Sequence, residues 1–200
     1  LNVKNNFIWD SFDRKLIDLK KVLIPGNHNI LNILAAINVA LLLKIPTEEI
    51  SAKLYTFKGV EHRIEYVANL KNVKYYNDSK ATNIDSVIAA INSFKSPITL
   101  ILGGLDKGAD FKVLRKIIKK RKISIVAYGS AAERISTTLR DAANLYLTDK
   151  LKEAIEISNK VTHPGEIVLL SPGCASYDQF LNFEQRGIFF KQTVKAFATT

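Results

Sequence analysis

The chain of 200 residues contains no methionine and a single cysteine, and neither end carries a long apolar run. One thiol, Cys174, cannot close an internal disulfide, so packing must hold the fold, and nothing points to an oxidising compartment. No apolar stretch reaches the roughly 20 residues needed to span a bilayer. The first residues also lack the basic-then-apolar order of a secretory signal. These absences predict a cytoplasmic address and no membrane span. A chain that opens on Leu1 and holds no methionine reads as a piece of a longer protein.

Acidic residues are scarce as well: 19 against 29 lysines and arginines, a formal net charge of +10. Such an excess is the usual hint of a polyanionic partner. Here it is dispersed. The densest run, Arg115-Lys116 and Lys119 to Lys122, is interleaved with Leu114, Ile117 and Ile118 at helical spacing, which makes its cations the wet face of an amphipathic helix. No aromatic residues alternate with them as a platform for single strands requires. A solvated face is therefore preferred to nucleic-acid binding, and a basic surface also suits a protein that uses nucleotides. With 47% hydrophobic and 24% charged residues, the composition is that of an ordinary globular protein.

What is present has a rhythm. Phe7 to Trp9 is strand-like, Phe12 to Arg14 a turn, and Leu16 to Ile24 apolar in alternation. Pro25-Gly26 precedes an apolar helix expected over about 30–43, with Asn27, His28, Asn29 and Asn32 around its start. Asparagines there are capping residues, and His28 is either a metal ligand or, more commonly for a lone histidine, a hydrogen-bonding group. A short helix over 47–55 follows, with Glu48 and Glu49 in its first turn. A domain boundary is placed at Gly59. Beyond it, strands are expected over 64–70, 73–76, 98–102, 123–128, 145–147 and 167–170. Helices are expected to about Phe94 and over 111–120, 131–141, 151–161 and 177–197. Strands separated by helices imply right-handed crossovers, an α/β fold with a Rossmann-like, mostly parallel sheet and helices on both faces, and ligands at the carboxyl ends of the strands.

Three loops at such ends carry chemistry. Asn77 to Asn83 packs a carboxylate, a lysine, two hydroxyls and two amides between a strand and a helix, where Asp78 or Ser79 would otherwise be a plain N-cap. Gly103 to Asp110 is neither a dinucleotide fingerprint nor a Walker A loop by its spacing. Lys107 within it reads as a point charge over a polar pocket, suited to a carboxylate, or else as a solvated lysine beside Asp106. Ser171 to Ser176 leads into the last helix with Ser176 as N-cap candidate. Cys174 has no base near it in sequence, so thiol catalysis is rejected.

Five blocks in order, Gly26 to Asn32 with Ala35-Ala36, Glu61-His62-Arg63-Ile64-Glu65, Asn77 to Asn83, Gly103 to Phe111 and Leu170 to Gly187, resemble the ATP-dependent Mur ligases of peptidoglycan synthesis. They are most similar to the members that add D-glutamate; Gly173 stands where alanine is more often seen. The resemblance implies that 1–59 is the helical remnant of a central ATPase domain and 60–200 the C-terminal Rossmann-like domain. The P-loop, the modified lysine and most magnesium ligands have no counterpart in the chain, so the fragment alone should be inactive. The implied chemistry is phosphorylation of the carboxylate of UDP-N-acetylmuramoyl-L-alanine by ATP with Mg2+, then attack of the D-glutamate amine on the acyl phosphate, largely by positioning and charge neutralisation. By resemblance, Asn29, Asn32, Arg63 and Asp78 contact ATP, and Thr82, Lys107, Ser176 and Phe183 hold D-glutamate. Lys80 and Lys107 support charge during transfer, His28 is a metal ligand, and the enzyme works on small molecules as a monomer. The two sets straddle Gly59, which implies domain closure. A folylpolyglutamate synthetase-like ligase and a basic nucleic-acid-binding domain are the alternatives.

Overall fold

In the computed structural model, which describes residues 1–198, the chain divides into two units, Leu1–Gly59 and the part from Val60 onward. The first unit opens with three antiparallel strands in the order β1 (Asn2–Lys4), β2 (Phe7–Trp9) and β3 (Lys15–Asp18). Asn5 and Asn6 both take positive φ, 53° and 61°, the conformation of a two-residue hairpin turn whose twist matches its strands. The alternation from Leu16 ends early because Asp18 turns its carboxylate onto the Lys20 N–H and caps a 3-10 turn over Leu19–Lys21. Helix α1 (Asn27–Leu42) starts before the expected residue 30, because Gly26 at its N-cap adopts φ 99° and lets the chain turn straight into it. No asparagine caps it; the Asn29 amide donates back to the Pro25 carbonyl at 2.6 Å. Helix α2 (Thr47–Thr56) completes the unit, whose core is Ile8, Ile17, Ile33, Ile37 and Ile50.

The second unit begins with a hairpin, β4 (Glu65–Leu70) and β5 (Val73–Asn77), turned by Lys71 and Asn72 at φ 48° and 64°. Then come α3 (Ile84–Asn92), β6 (Ile98–Gly103), a 3-10 turn over Phe111–Leu114 leading into α4 (Arg115–Arg121), and β7 (Ser124–Tyr128). They are followed by α5 (Ala132–Leu139), β8 (Leu145–Thr148), α6 (Leu151–Val161), β9 (Ile167–Gly173) and α7 (Phe183–Ala196). The sheet order is β4-β5-β9-β6-β7-β8, with only β4 antiparallel. Strand alternation sorts the core. Leu100, Leu102 and Leu169 pack with α3, α4 and α5, whereas Ile101, Val168 and Leu170 pack with α6 and α7. Covered on both faces, β6 and β9 have no exposed residue, and this is why they read as unbroken apolar runs. No described helix is long and apolar enough to cross a membrane.

The last helix starts six residues later than the expected Tyr177. The Ser176 carbonyl accepts from the Gln179 and Phe180 N–H groups to form a separate turn, and Asn182 is the residue that caps α7, accepting from the Gln185 N–H at 2.7 Å. Asn83, not Asp78 or Ser79, likewise caps α3.

Gly103 and Gly165 both sit at positive φ, 141° and 91°, but a Cβ on Gly103 would lie 2.0 Å from the Tyr128 carbonyl oxygen while one on Gly165 would meet nothing. In urea denaturation, Gly103→Ala should cost at least about 2 kcal/mol more than Gly165→Ala, because only the first must also separate β6 from β7. Equal losses would show that backbone conformation alone sets the requirement.

Candidate functional site

The loops after β5 and β6 lead to helices on one face of the sheet, while the loop after β9, the strand between them, leads to α7 on the other. Diverging connections open a crevice at this switch point, at the carboxyl ends of three adjacent strands. Main-chain bonds tie the loops together. Asp78 N–H donates to the Leu170 carbonyl at 2.7 Å and Gly173 N–H to the Ala81 carbonyl at 2.8 Å. Leu105 and Ala175 exchange two bonds, at 2.9 and 3.1 Å. Gly104, at φ 119°, allows that exchange: a Cβ there would lie 2.4 Å from the Ala175 carbonyl oxygen.

Arg186 pins the junction. It is fully buried on α7 and forms no ion pair with a carboxylate among the described residues. Its Nε donates to Ser79 Oγ at 2.9 Å, one terminal nitrogen to the Ser79 carbonyl at 2.8 Å, and the other to the Cys174 and Ala175 carbonyls at 3.1 and 3.2 Å and to the Tyr128 hydroxyl at 3.4 Å. Ser79 Oγ in turn donates to the Phe183 carbonyl at 2.8 Å. A planar fork with five N–H donors is the side chain that can satisfy so many acceptors from one point.

Beside it stands a second buried network. Asp78 accepts from Ser171 Oγ at 2.8 Å and from the Ile64 N–H at 3.2 Å. Burial outweighs those bonds and the nearby Arg63 charge, and pushes the carboxyl up to about 7. Asn77 uses its amide to donate to Glu65 and to His62 Nδ1 at 3.0 and 2.9 Å, so the imidazole accepts there, and its burial holds the ring's pKa down. Helix α7 passes close over this ring: a Cβ on Gly187 would lie 2.2 Å from His62 Nδ1. Glu61, His62 and Glu65 are the one described group of three side chains near enough to share a metal ion. The Lys191 ammonium already sits against both carboxylates, which makes the group an internal ion cluster.

The residues selected from sequence fall as follows. Lys80, Thr82, Lys107, Ser176 and Phe183 belong to the three tied loops and the first turn of α7. Lys80 is exposed with its ammonium 3.8 Å from the centre of the Phe183 ring, and Lys107 is exposed with its ammonium 5.2 Å from that of Tyr177. Asp106 is engaged by Arg134 and by the Gly108 and Ala109 N–H groups, so it is not the partner of Lys107. Thr82 is exposed and Ser176 buried, and Ser176 caps no helix, which corrects its expected role. Arg63 is exposed close to the Asp78 network. His28, Asn29 and Asn32 lie in the first unit on the opening turns of α1 and belong to no described group of three ligating side chains. Cys174 is buried, and its thiol is pushed up to about 12, which removes it as a nucleophile.

Sequence reasoning missed Arg186 and Asp178. Arg186 had a signal: with Phe190 and Val194 it keeps i, i+4, i+8 spacing, a cation on the buried stripe of its helix. Asp178 had none. One of its carboxylate oxygens is buried without a hydrogen-bond partner among the described residues, while the other accepts weakly from the Ser130 N–H. A separate cavity of about 410 Å³ at the ends of β7 and β8 is lined by Glu133, Asp149 and Glu153. Its charge would repel a carboxylate ligand.

A family model described as Mur ligase, glutamate ligase domain, matches residues 62–174. The UDP-N-acetylmuramoylalanine-D-glutamate ligase of Caldanaerobacter subterraneus subsp. tengcongensis is 44% identical over 196 residues, 96% of this chain and 43% of that protein. The enzyme of the same name from Clostridioides difficile is 44% identical over 196 residues, 96% and 44% of the two chains. The chain thus spans less than half the length of the curated relatives it matches. Among solved structures, the UDP-N-acetylmuramate-alanine ligase of Thermotoga maritima aligns with a TM-score of 0.67 at 17% identity, over 89% of this chain and 39% of that one. A folylpolyglutamate synthase from the same organism aligns at 0.57 and 19%, over 90% and 40%. At those identities the likeness speaks for the fold.

Two outcomes follow from the buried networks. Arg186→Ala should cost about 3 to 5 kcal/mol in urea denaturation, and Arg186→Lys should recover little of it, since one ammonium cannot reach the same acceptors. For Asp78, the folded-state value lies above the unfolded 3.8, so its contribution is intact below about pH 4 and is lost as the pH rises to 7 and beyond. Asp78→Asn should remove up to about 4 kcal/mol of that decline, seen as a stability difference from wild type that grows in favour of the variant between pH 4 and 8. A pH-independent difference would refute the raised value.

Proposed function

The chain belongs to the Mur ligase family through its glutamate ligase domain, and from that premise we propose that it is the part of an ATP-dependent, amide-forming ligase that presents D-glutamate to UDP-N-acetylmuramoyl-L-alanine in peptidoglycan precursor synthesis. Residues 1–59 we read as part of the central ATPase domain and those from 60 onward as the C-terminal domain. One observation carries the reading: the loops bearing Lys80 and Thr82, Lys107, and Ser176 leave three adjacent strands at the same sheet end and are bonded to one another.

D-glutamate has two carboxylates and one amine, and the crevice offers matching chemistry. Lys107 and Ser176 suit the carboxylates, Thr82 adds a hydroxyl, and the main chain around Phe183 supplies further contacts. Lys80, resting on the Phe183 ring, is placed to offset the negative charge of the acyl group under attack. No side chain of the crevice needs to act as a nucleophile, because the amine of the substrate does. ATP, when bound, would supply the phosphoryl group that activates the acyl substrate. In the first unit, the opening of α1 fits phosphate: Gly26 leaves its first N–H groups without a side-chain cap, and Asn29 and Asn32 stand beside them. Arg63 and Asp78 are the nucleotide-facing candidates of the second unit. For Mg2+, the one described group of three ligating side chains is Glu61, His62 and Glu65, already engaged by Lys191, so no step is assigned to a cation here.

Titrating D-glutamate into the labelled chain should shift the amide resonances of Thr82, Lys107 and Ser176, and resonances that stay in place would overturn the assignment of this crevice. In the full-length enzyme, Lys107→Ala should raise the KM for D-glutamate roughly a hundredfold with a smaller change in kcat. An unchanged KM would remove that lysine from the site.

A further inference from the structure

Lysines that lie far apart in the sequence meet at the end of the second unit's sheet opposite the crevice. Strand β5 is entered from Lys71 and Lys74, and β6 from Lys95. The end of α6 brings Lys160 to the start of β9, and the end of α4 brings Lys119, Lys120 and Lys122 to the start of β7. All of these side chains are exposed, and none forms an ion pair among the described residues. The main chain joins the approaches into one edge. Gly165 N–H donates to the Asn72 carbonyl at 2.7 Å and Ile167 N–H to the Pro97 carbonyl at 3.0 Å. The Arg121 guanidinium donates to the Ile91 and Ser96 carbonyls at 2.5 and 3.1 Å. The strands are neighbours in the order β5-β9-β6-β7, so the edge is roughly 14 Å wide before side chains are added. Glu166 and Asp141 are the acidic residues at this end, and both are engaged, Glu166 by the His163 N–H and Asp141 by Arg115. The acidic side chains Asp106, Glu133, Asp149 and Glu153 stand at the other end of the strands, so charge is separated along the strand axis.

We propose that this cationic edge docks on the anionic headgroups of a phospholipid bilayer. The spacing of adjacent strands, about 4.8 Å, is shorter than the screening length of about 8 Å at physiological salt, so the charges act on a facing surface together. A plane of headgroups suits the layout, because compact ammonium groups on flexible stems, spread across an edge, attract phosphates additively without a fixed geometry. Nucleic acid is the less favoured polyanion. The exposed aromatic residues of this unit, Tyr66, Tyr146 and Tyr177, lie outside these loops, which leaves no ring there to stack on bases. Docking by the amino ends of the strands leaves the crevice at their carboxyl ends turned away from the bilayer, so the inference is independent of the ligand that the crevice holds.

The test is sedimentation of the full-length protein with vesicles of mixed phosphatidylglycerol and phosphatidylcholine, and with vesicles of phosphatidylcholine alone. The wild-type protein should sediment with the mixed vesicles and not with the neutral ones. Its partition coefficient should fall roughly a hundredfold in the triple variant Lys119→Gln, Lys120→Gln, Lys122→Gln. A second triple variant, Lys112→Gln, Lys150→Gln, Lys152→Gln, removes the same charge from the crevice end of the sheet and should lose less than about threefold. Matching melting curves establish that both variants are folded. Failure to sediment with the mixed vesicles would overturn the proposal, and so would equal losses in the two variants, which would show that net charge alone governs. Tighter binding to a single-stranded oligonucleotide than to the vesicles, lost in the first variant, would reassign the edge to nucleic acid and overturn it as well.

Discussion

A guanidinium buried without a carboxylate partner is the constraint on which the second unit is built. Arg186 reaches the loop after β5 through Ser79, the loop after β9 through Cys174 and Ala175, and β7 through Tyr128. Burying a charge is costly unless its donors are satisfied, so the favourable state is the one in which all these acceptors converge. The same convergence brings the candidate ligand residues of two loops to fixed positions. The third loop is attached through the Leu105 and Ala175 exchange, which Gly104 alone permits by lacking a Cβ. Tied loops at the base and exposed lysines at the rim suit the dianion proposed as ligand, since two ammonium groups on long stems can adapt to it.

Asp78 and Arg186 illustrate opposite solutions to buried charge. Arginine is surrounded by carbonyl and hydroxyl acceptors. Aspartate has two donors, from Ser171 and Ile64, and burial outweighs them and raises its carboxyl toward neutrality. A carboxylate balanced in this way responds to any cation that approaches it, whether Arg63 or a ligand-borne one. The first unit shows a different economy. Its α1 buries Ile33 and Ile37 in a small core shared with β2, β3 and α2 and leaves Leu31, Val39 and Leu42 exposed.

Much of this was legible in the sequence because it depends on neighbours a few residues apart. The apolar runs of β6 and β9, the helix over 151–161, the Lys71-Asn72 turn and the division of chemistry among three strand-to-helix loops are all local patterns. Errors clustered where two local rules competed. Tyr177 to Leu181 has helical composition, yet Ser176 closes a turn on itself and Asn182 offers a better cap, so α7 begins at Phe183.

The sequence by itself determined the order of strands and helices beyond Gly59, the absence of any disulfide, and the residue types available at each strand end, since periodicity and side-chain chemistry act over one or two turns; the first strand, Asn2–Lys4, was not legible in it. Only the tertiary structure decided that Arg186 would be the buried hub, that Asp78 would lose its easy ionisation, that Ser176 would sit in a turn, and that Lys107 would lean on Tyr177 and not on Asp106. Those outcomes depend on groups up to 107 residues apart in the chain, as Ser79 and Arg186 are. Desolvation and hydrogen-bond satisfaction are properties of the packed interior, and no window of neighbouring residues contains them.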